Sequence, residues 1–282
     1  MTDRHNWQVG ASSCILRGWK NHTEEGFDLY RQAGIKYAEL SVSVWNNSFE
    51  GLDFYDNPQK IKEIAKRCDV EFATFHAPFS VDISFSNPAP IARHTAAEII
   101  KRTIHSAAQI GIKTMVLHPS GAHYDKYSDR KFLVKQCIDH VGEIYDFCEK
   151  EGVVLALENL TGRGVCGTPE EMLLFLNAFP NMQVCFDTNH CAYILPEDYL
   201  HTLLKAGMKG RIATLHVSDY NLDKEMHVMP GEGKINWNEL ITRLEQLDFS
   251  GVFMYEVSGN SEKNILYTPQ MVADNFRAII HQ

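Results

Sequence analysis

Short runs rich in β-branched and aromatic residues alternate along the chain with longer stretches whose apolar positions recur at helical spacing. The short runs fall at Gln8–Ser12, Tyr37–Val42, Glu71–Phe75, Thr114–Leu117, Val153–Leu157, Gln183–Phe186, Ile212–Leu215 and Val252–Tyr255. Between them, Ile100, Ile104, Ala107 and Ala108 share one helical face, as do Val134, Ile138, Val141, Tyr145 and Cys148, and again Leu240, Leu244 and Leu247. This alternation predicts strand-helix units around a parallel sheet. Helix starts are marked as well. Thr168-Pro169-Glu170-Glu171 supplies a capping Thr, a first-turn Pro and a capping-box Glu, and Asn236–Glu239 and Thr268-Pro269 repeat parts of that signal. Eight predicted strands in 282 residues point to an α/β chain folded as a (β/α)8 barrel, a single domain over residues 1–282. An open doubly wound sheet would need a switch point and usually a Gly-rich first turn, and neither is evident.

What ends each strand changes the picture from fold to chemistry. Six successive apolar runs finish in a ligand-type side chain: His76, His118, Glu158, Asp187, His216 and Glu256. Their separations are 42, 40, 29, 29 and 40 residues, each close to one strand-helix unit, so a barrel brings all six to one small volume above its strands. A lone His or Glu at a strand end often caps the next helix or bonds to a loop, but six together do not fit that explanation. Burying so many carboxylates and imidazoles is costly unless a cation neutralises them, and a divalent metal is the simplest answer. Mixed imidazole and carboxylate ligands favour Mn or Zn, with Co, Fe and Mg as alternatives, over an all-oxygen Ca site. His190, three residues past Asp187, and Glu225 and His227, in a loop ending Pro230-Gly231-Glu232-Gly233, are positioned to bind further metal or substrate. Glu39 is left outside the set because Leu40 to Val44 continues its strand beyond it. His94, His105, His140 and His201 lie in helical stretches and are expected to be solvated. Trp19, Trp45, Phe79 and Trp237 lie in or near predicted loops, where aromatic rings stack on sugars or simply pack.

Composition narrows the partners. With 44% hydrophobic and 22% charged residues the chain can bury a large core, and its net charge of −9, without a basic cluster, gives no expectation of a nucleic-acid partner. Met1–Gln8 is polar, and no apolar stretch approaches the roughly 20 residues of a membrane span, so no membrane partner is expected and the location reads as cytoplasmic. The seven cysteines are odd in number and contain no C-x-x-C pair, which reads as reduced thiols without a functional role. Barrels with exposed helical faces often pair, so a homo-oligomer is one expectation.

The strand-end set, with Leu157-Glu158-Asn159-Leu160, Phe186-Asp187-Thr188-Asn189-His190, His216-Val217-Ser218-Asp219 and His227-Val228-Met229-Pro230-Gly231-Glu232-Gly233, resembles the xylose isomerase-like TIM-barrel superfamily over nearly the whole chain. Within it the sequence is similar to the sugar phosphate isomerase/epimerase group, which includes ketose 3-epimerases. Their metal ligands are a Glu, an Asp, a His and a Glu from the last four strands, corresponding here to Glu158, Asp187, His216 and Glu256. The resemblance implies a metal-dependent isomerase or epimerase acting on a sugar or polyol. It would abstract a proton beside a carbonyl through a metal-stabilised enediolate, with Glu158 and Glu256 as base and acid and His76, His118, His190 and His227 binding substrate. No Gly-rich phosphate loop stands out after strands seven or eight, which favours an unphosphorylated substrate. The same superfamily contains the zinc-dependent endonuclease IV-type AP endonucleases. On their pattern His76, His118, His190, Glu225 and His227 become additional ligands, and Gly162 and Gly164 match their loop. The chain departs from that pattern in having Glu at 225 where an Asp is usual, and in lacking evident basic loops to grip DNA. A barrel that binds a sugar without converting it is the third reading.

Overall fold

The computed structural model of the protein describes residues 7–16, 22–41, 57–121, 127, 129–191 and 194–280. Trp19 and Trp45 lie outside these residues, as does Val42 at the end of the second predicted strand. Eight parallel strands carry the architecture: β1 (Gln8–Ser12), β2 (Tyr37–Ser41), β3 (Glu71–His76), β4 (Thr114–Leu117), β5 (Val154–Glu158), β6 (Gln183–Asp187), β7 (Ile212–His216) and β8 (Val252–Tyr255). They lie in the order β7-β6-β5-β4-β3-β2-β1-β8. Between β7 and β8 a parallel bridge of Val217 with Tyr255 closes the barrel, Val217 N donating to Met254 O at 2.8 Å and Glu256 N to Val217 O at 3.0 Å. A short hairpin, β9 (Gly259–Asn260) with β10 (Ile265–Leu266), follows β8. No described helix is long and apolar enough to cross a membrane.

The described helices are α1 (Glu24–Ala33), α2 (Pro58–Arg67), α3 (Pro90–Gln109), α4 (Arg130–Glu151), α5 (Pro169–Ala178), α6 (Pro196–Lys205), α7 (Trp237–Gln246) and α8 (Pro269–Ile279). The predicted caps form: Thr168 accepts from Glu171 N, Asn236 from Glu239 N and Thr268 from Met271 N. Capping satisfies backbone donors that a helix start leaves open, so each fixes where a loop at the C-terminal end of the strands turns back down.

Side chains alternate along a strand, and this period of two builds the interior in layers. Thr74, Val116, Ala156, Cys185 and Thr214 occupy one layer, in which Val116, Ala156 and Cys185 pack on one another. Two residues further along the same strands come His76, His118, Glu158, Asp187 and His216. Four of these are the last residues of their strands, whereas His118 and Glu256 follow theirs by one. The four histidines assigned to helices divide: His94 and His105 are exposed, while His201 is half-buried and so is His140, which accepts a hydrogen bond from Arg93 Nε at 2.9 Å and stacks on Phe85.

Between barrel and helices, Phe253 is the hub of an aromatic cluster. Its ring stacks on Trp7 at 5.8 Å and meets Tyr255, Phe276 and Trp237 at 5.7, 5.6 and 6.5 Å, joining β8 to α7 and α8. Phe253→Ala should therefore lower stability by about 3–5 kcal/mol in urea denaturation. Ile91→Ala, at a side chain 72% exposed, should stay within about 0.5 kcal/mol. Equal unfolding midpoints for the two variants would remove Phe253 from its central place.

Candidate metal centre

Glu158 is the meeting point of the site. Its Oε2 lies 3.3 Å from His76 Nε2 and 3.1 Å from His118 Nε2, and its Oε1 lies 3.2 Å from His190 Nδ1 and 3.3 Å from His216 Nδ1. His216 Nδ1 is in turn 3.3 Å from Glu256 Oε2 and 4.0 Å from Asp187 Oδ2. Glu158, Asp187, His216 and Glu256 each offer one ligand atom to a group spanning no more than 4.8 Å. Among the described residues two further groups span no more than that distance, His76 with Glu158 and His216, and His190 with Glu225 and His227. All nine sequence-predicted side chains thus come together, with His118 joining through Glu158.

The donor set fits a cation. Glu158 Oε1, Asp187 Oδ2 and His216 Nδ1 are buried without a hydrogen-bond partner, and all three face the same small space. Asp187 Oδ1 is already used, accepting from Asn189 N at 2.6 Å, so only Oδ2 is turned to the cluster. Burial pushes the Asp187 carboxyl up to about 6, the charges of Glu158 and Glu256 adding to the rise while His190 opposes it. A buried carboxylate that resists ionisation beside a second, charged one, each with an unpaired oxygen, is what a divalent ion would relieve.

Local structure turns each ring the right way. His76 Nδ1 sits 2.7 Å from Ala77 O, leaving Nε2 for Glu158, and His190 Nδ1 lies 3.0 Å from Asn159 O. Asn159 also ties β5 to β6, donating from Nδ2 to Asp187 O and accepting from Asp187 N at Oδ1. Glu225 and His227 do not sit on a strand; Asp219 holds their loop. Its Oδ1 accepts from Tyr220 N and Ile235 N at 2.8 and 3.2 Å, and its Oδ2 from Gly231 N and Trp237 Nε1 at 2.8 and 2.9 Å. Gly233 makes this possible, because a Cβ there would stand inside contact distance of Asp219 Oδ1 and the Tyr220 carbonyl. Trp237 is therefore a buried support and not a sugar platform. Phe79 is 45% exposed and lies 4.1 Å, centroid to centroid, from His118.

Above the cluster opens a cavity of about 410 Å³. His118, Glu158, His190, Glu225, His227 and Glu256 line it, with Phe79, Ser80, Val81, Ser120, Leu160 and Thr161 around them. His76, Asp187 and His216 do not reach it. Sequence reasoning missed one buried member, Glu39, whose Oε2 lies 3.1 Å from His216 Nε2. The available signal was a carboxylate set between Ala38 and Leu40 inside an otherwise apolar strand.

Protons and a cation compete for this site, which gives a pH signature to chelator-treated protein. Burial works against the charged form of His227, yet the hydrogen bond with Glu225 and the charges of Glu256 and Asp187 raise it to about 9. A histidine whose folded value exceeds its free value of about 6.5 adds stability below that pH, which is lost as pH rises through the folded value. Chelator-treated protein should then lose melting temperature between pH 6.5 and about 9, and Glu225→Gln should flatten that slope. Identical slopes in the two proteins would break the assignment.

The chain matches the xylose isomerase-like TIM-barrel family over residues 27–275. An uncharacterised protein of Methanocaldococcus jannaschii is 30% identical over 233 residues, covering 78% of this chain and 76% of that one. A probable endonuclease 4 of Acholeplasma laidlawii is 28% identical over 193 residues, 62% of this chain and 63% of its own length. Among solved structures, a D-tagatose 3-epimerase-like protein superposes with a TM-score of 0.79 at 22% identity, covering 97% of each chain. A D-psicose 3-epimerase determined in the presence of D-fructose superposes at 0.75 with 16% identity, covering 98% of this chain and 100% of the other. At those identities the structural likeness is one of fold, whereas the match over residues 27–275 is one of sequence. The chain belongs to the xylose isomerase-like TIM-barrel family.

Proposed function

We propose that the protein is a divalent-metal-dependent sugar isomerase or epimerase. The observation that carries this reading is the convergence of Glu158, Asp187, His216 and Glu256 beneath a cavity of about 410 Å³, which Glu158 and Glu256 also line. Those four residues would hold the ion, Mn or Zn by ligand type. The bound cation supplies a Lewis acid for the carbonyl and hydroxyl oxygens of a sugar. His118, His190 and His227 face the same cavity and receive the remaining hydroxyls. The substrate is a free sugar or polyol.

The two glutamates carry the proton unequally. Glu158 is 1% exposed, and although burial favours its neutral form, the charges of His216 and His118 hold it well below the usual carboxylate range. A carboxylate so stabilised is a weak base. Glu256 has a side chain 22% exposed at the cavity, so it takes the proton from the carbon beside the carbonyl, and Glu158 serves the opposite face with a proton passed to it from the His190 imidazolium 3.2 Å away.

A second reading, phosphodiester cleavage of the endonuclease IV type, is favoured by one observation, the separate His190, Glu225 and His227 group. Metal count and substrate distinguish the two. The sugar enzyme should carry one tightly held metal per chain and leave abasic duplex DNA intact, whereas several zinc ions and a metal-dependent nick would establish the nuclease. A sugar bound without turnover would establish the third alternative, an inert barrel.

On a ketose panel, Glu256→Gln should reduce turnover by about 10²–10⁴-fold with the metal retained, and Glu158→Gln should lose metal affinity together with turnover. In deuterated water the wild type should wash solvent deuterium into the substrate. Normal exchange in both variants would end the two-carboxylate mechanism. Binding of the metal at 100 times its dissociation constant adds about 2.7 kcal/mol to stability. For a chain of this size that raises the melting temperature by about 5 °C. No rise on adding Mn, Zn or Co to chelated protein would remove the metal from the proposal.

A further inference from the structure

Three of the site's imidazoles are anchored by neutral backbone carbonyls: His76 Nδ1 by Ala77 O at 2.7 Å, His190 Nδ1 by Asn159 O at 3.0 Å and His227 Nδ1 by Glu256 O at 3.2 Å. His216 differs. Its Nε2 lies 3.1 Å from both carboxylate oxygens of Glu39, and Glu39 Oε2 also accepts from Thr74 Oγ1 at 2.9 Å. Glu39 and Thr74 are paired across β2 and β3, in the layer beneath the ligands, and both are buried with no part in the cavity.

We propose that Glu39 is the positioning residue of the metal centre: it holds His216 in the tautomer that carries its proton on Nε2, so that the Nδ1 lone pair faces Glu158, Asp187 and Glu256. This rests on the reading that those four residues hold a divalent ion. The geometry leaves little freedom. The Nε2 proton has a carboxylate acceptor, while Nδ1 has no hydrogen-bond partner and three carboxylates in front of it. A proton on Nδ1 would leave Glu39 facing a bare ring nitrogen, two acceptors in contact in a buried layer. A carboxylate partner also does what a carbonyl does less: it places negative charge behind the ring and makes Nδ1 a stronger donor. Thr74 fixes the carboxylate in turn, because its hydroxyl occupies one oxygen and defines the plane the ring must meet. Burying a carboxylate is expensive without such partners, so a position that keeps one inside the barrel is held there by what it organises. Glu39 cannot touch a substrate. Its effect is confined to the orientation and donor strength of one ligand.

The test is metal affinity, measured by titration calorimetry with Mn and with Co on chelated protein, alongside the visible spectrum of the Co form. Glu39→Ala should weaken affinity about 10–100-fold and change the Co spectrum. Glu39→Gln should weaken it less, since its amide oxygen still accepts from Nε2, and Thr74→Val should fall between that variant and wild type. A graded loss of this kind, with the circular dichroism of each chelated variant native, separates positioning from a role in folding alone. Wild-type affinity and spectrum in Glu39→Ala overturn the proposal; if that variant does not fold, unchanged values in both Glu39→Gln and Thr74→Val overturn it. A wild-type protein that binds neither metal overturns the underlying reading instead.

Discussion

The upper half of the barrel is organised by the contact of one carboxylate with four imidazoles. Glu158 touches His76, His118, His190 and His216 within 3.3 Å, at a depth where water does not screen charge. In such a place charge must be matched locally, by protons on the rings or by a metal among them. With Asp187, Glu256 and Glu39 added, the protons alone give an unstable arrangement in which Asp187 is pushed toward its neutral form. The strands, the caps and the loop around Asp219 all serve to keep these groups close in spite of that cost.

Much of this was legible in the sequence because the barrel converts linear spacing into a circle. Six apolar runs each ending in His, Asp or Glu can only be a layer if the runs are parallel neighbours, and β3 to β8 are. All eight strands were visible for the same reason, with ends displaced by a residue or so, since hydrogen-bond pairing and not apolarity sets where a strand stops. The metal ligand candidates in the loop after β7 were visible as residue types, but their approach to His190 was not. It depends on four hydrogen bonds to Asp219 and on the missing side chain of Gly233, which no periodicity encodes. Glu39 was hidden by the opposite effect. It stands two residues before the end of β2, one layer too deep for a rule that looks only at strand ends. The expectation of solvated helical histidines failed at His140, where Arg93 and the Phe85 ring claim a side chain that spacing alone puts at the surface.

Glu158 and Glu256 look equivalent in a list of ligands and differ in the fold. Glu158 ends β5 in the midst of the imidazoles, whereas Glu256 follows β8 where the barrel closes and its carboxylate borders the cavity. On the proposed function, position relative to the closing seam would separate a carboxylate that holds charge from one that exchanges a proton. Two residues of the same type acquire different surroundings from one additional step along the chain.

The Asp219 cradle reaches further than the residues it touches. One carboxylate gathers backbone from both ends of the segment between Tyr220 and Ile235, and Asp219 and Val228 exchange two backbone hydrogen bonds across it. Closed at its base in this way, the loop is also tied down along its second half, His227 to Glu256 O and Ser258 N, Met226 N to Asn189 and Met229 N to the Tyr267 hydroxyl. Asp223 and Lys224, exposed and bonded through their backbone N–H only to Asn221 of the same turn, are where this segment can change with least effect on a strand. Variation in that turn can therefore reach the cavity through the neighbouring Glu225, with the inner layer of Glu158, Asp187, His216 and Glu256 left unchanged beneath it.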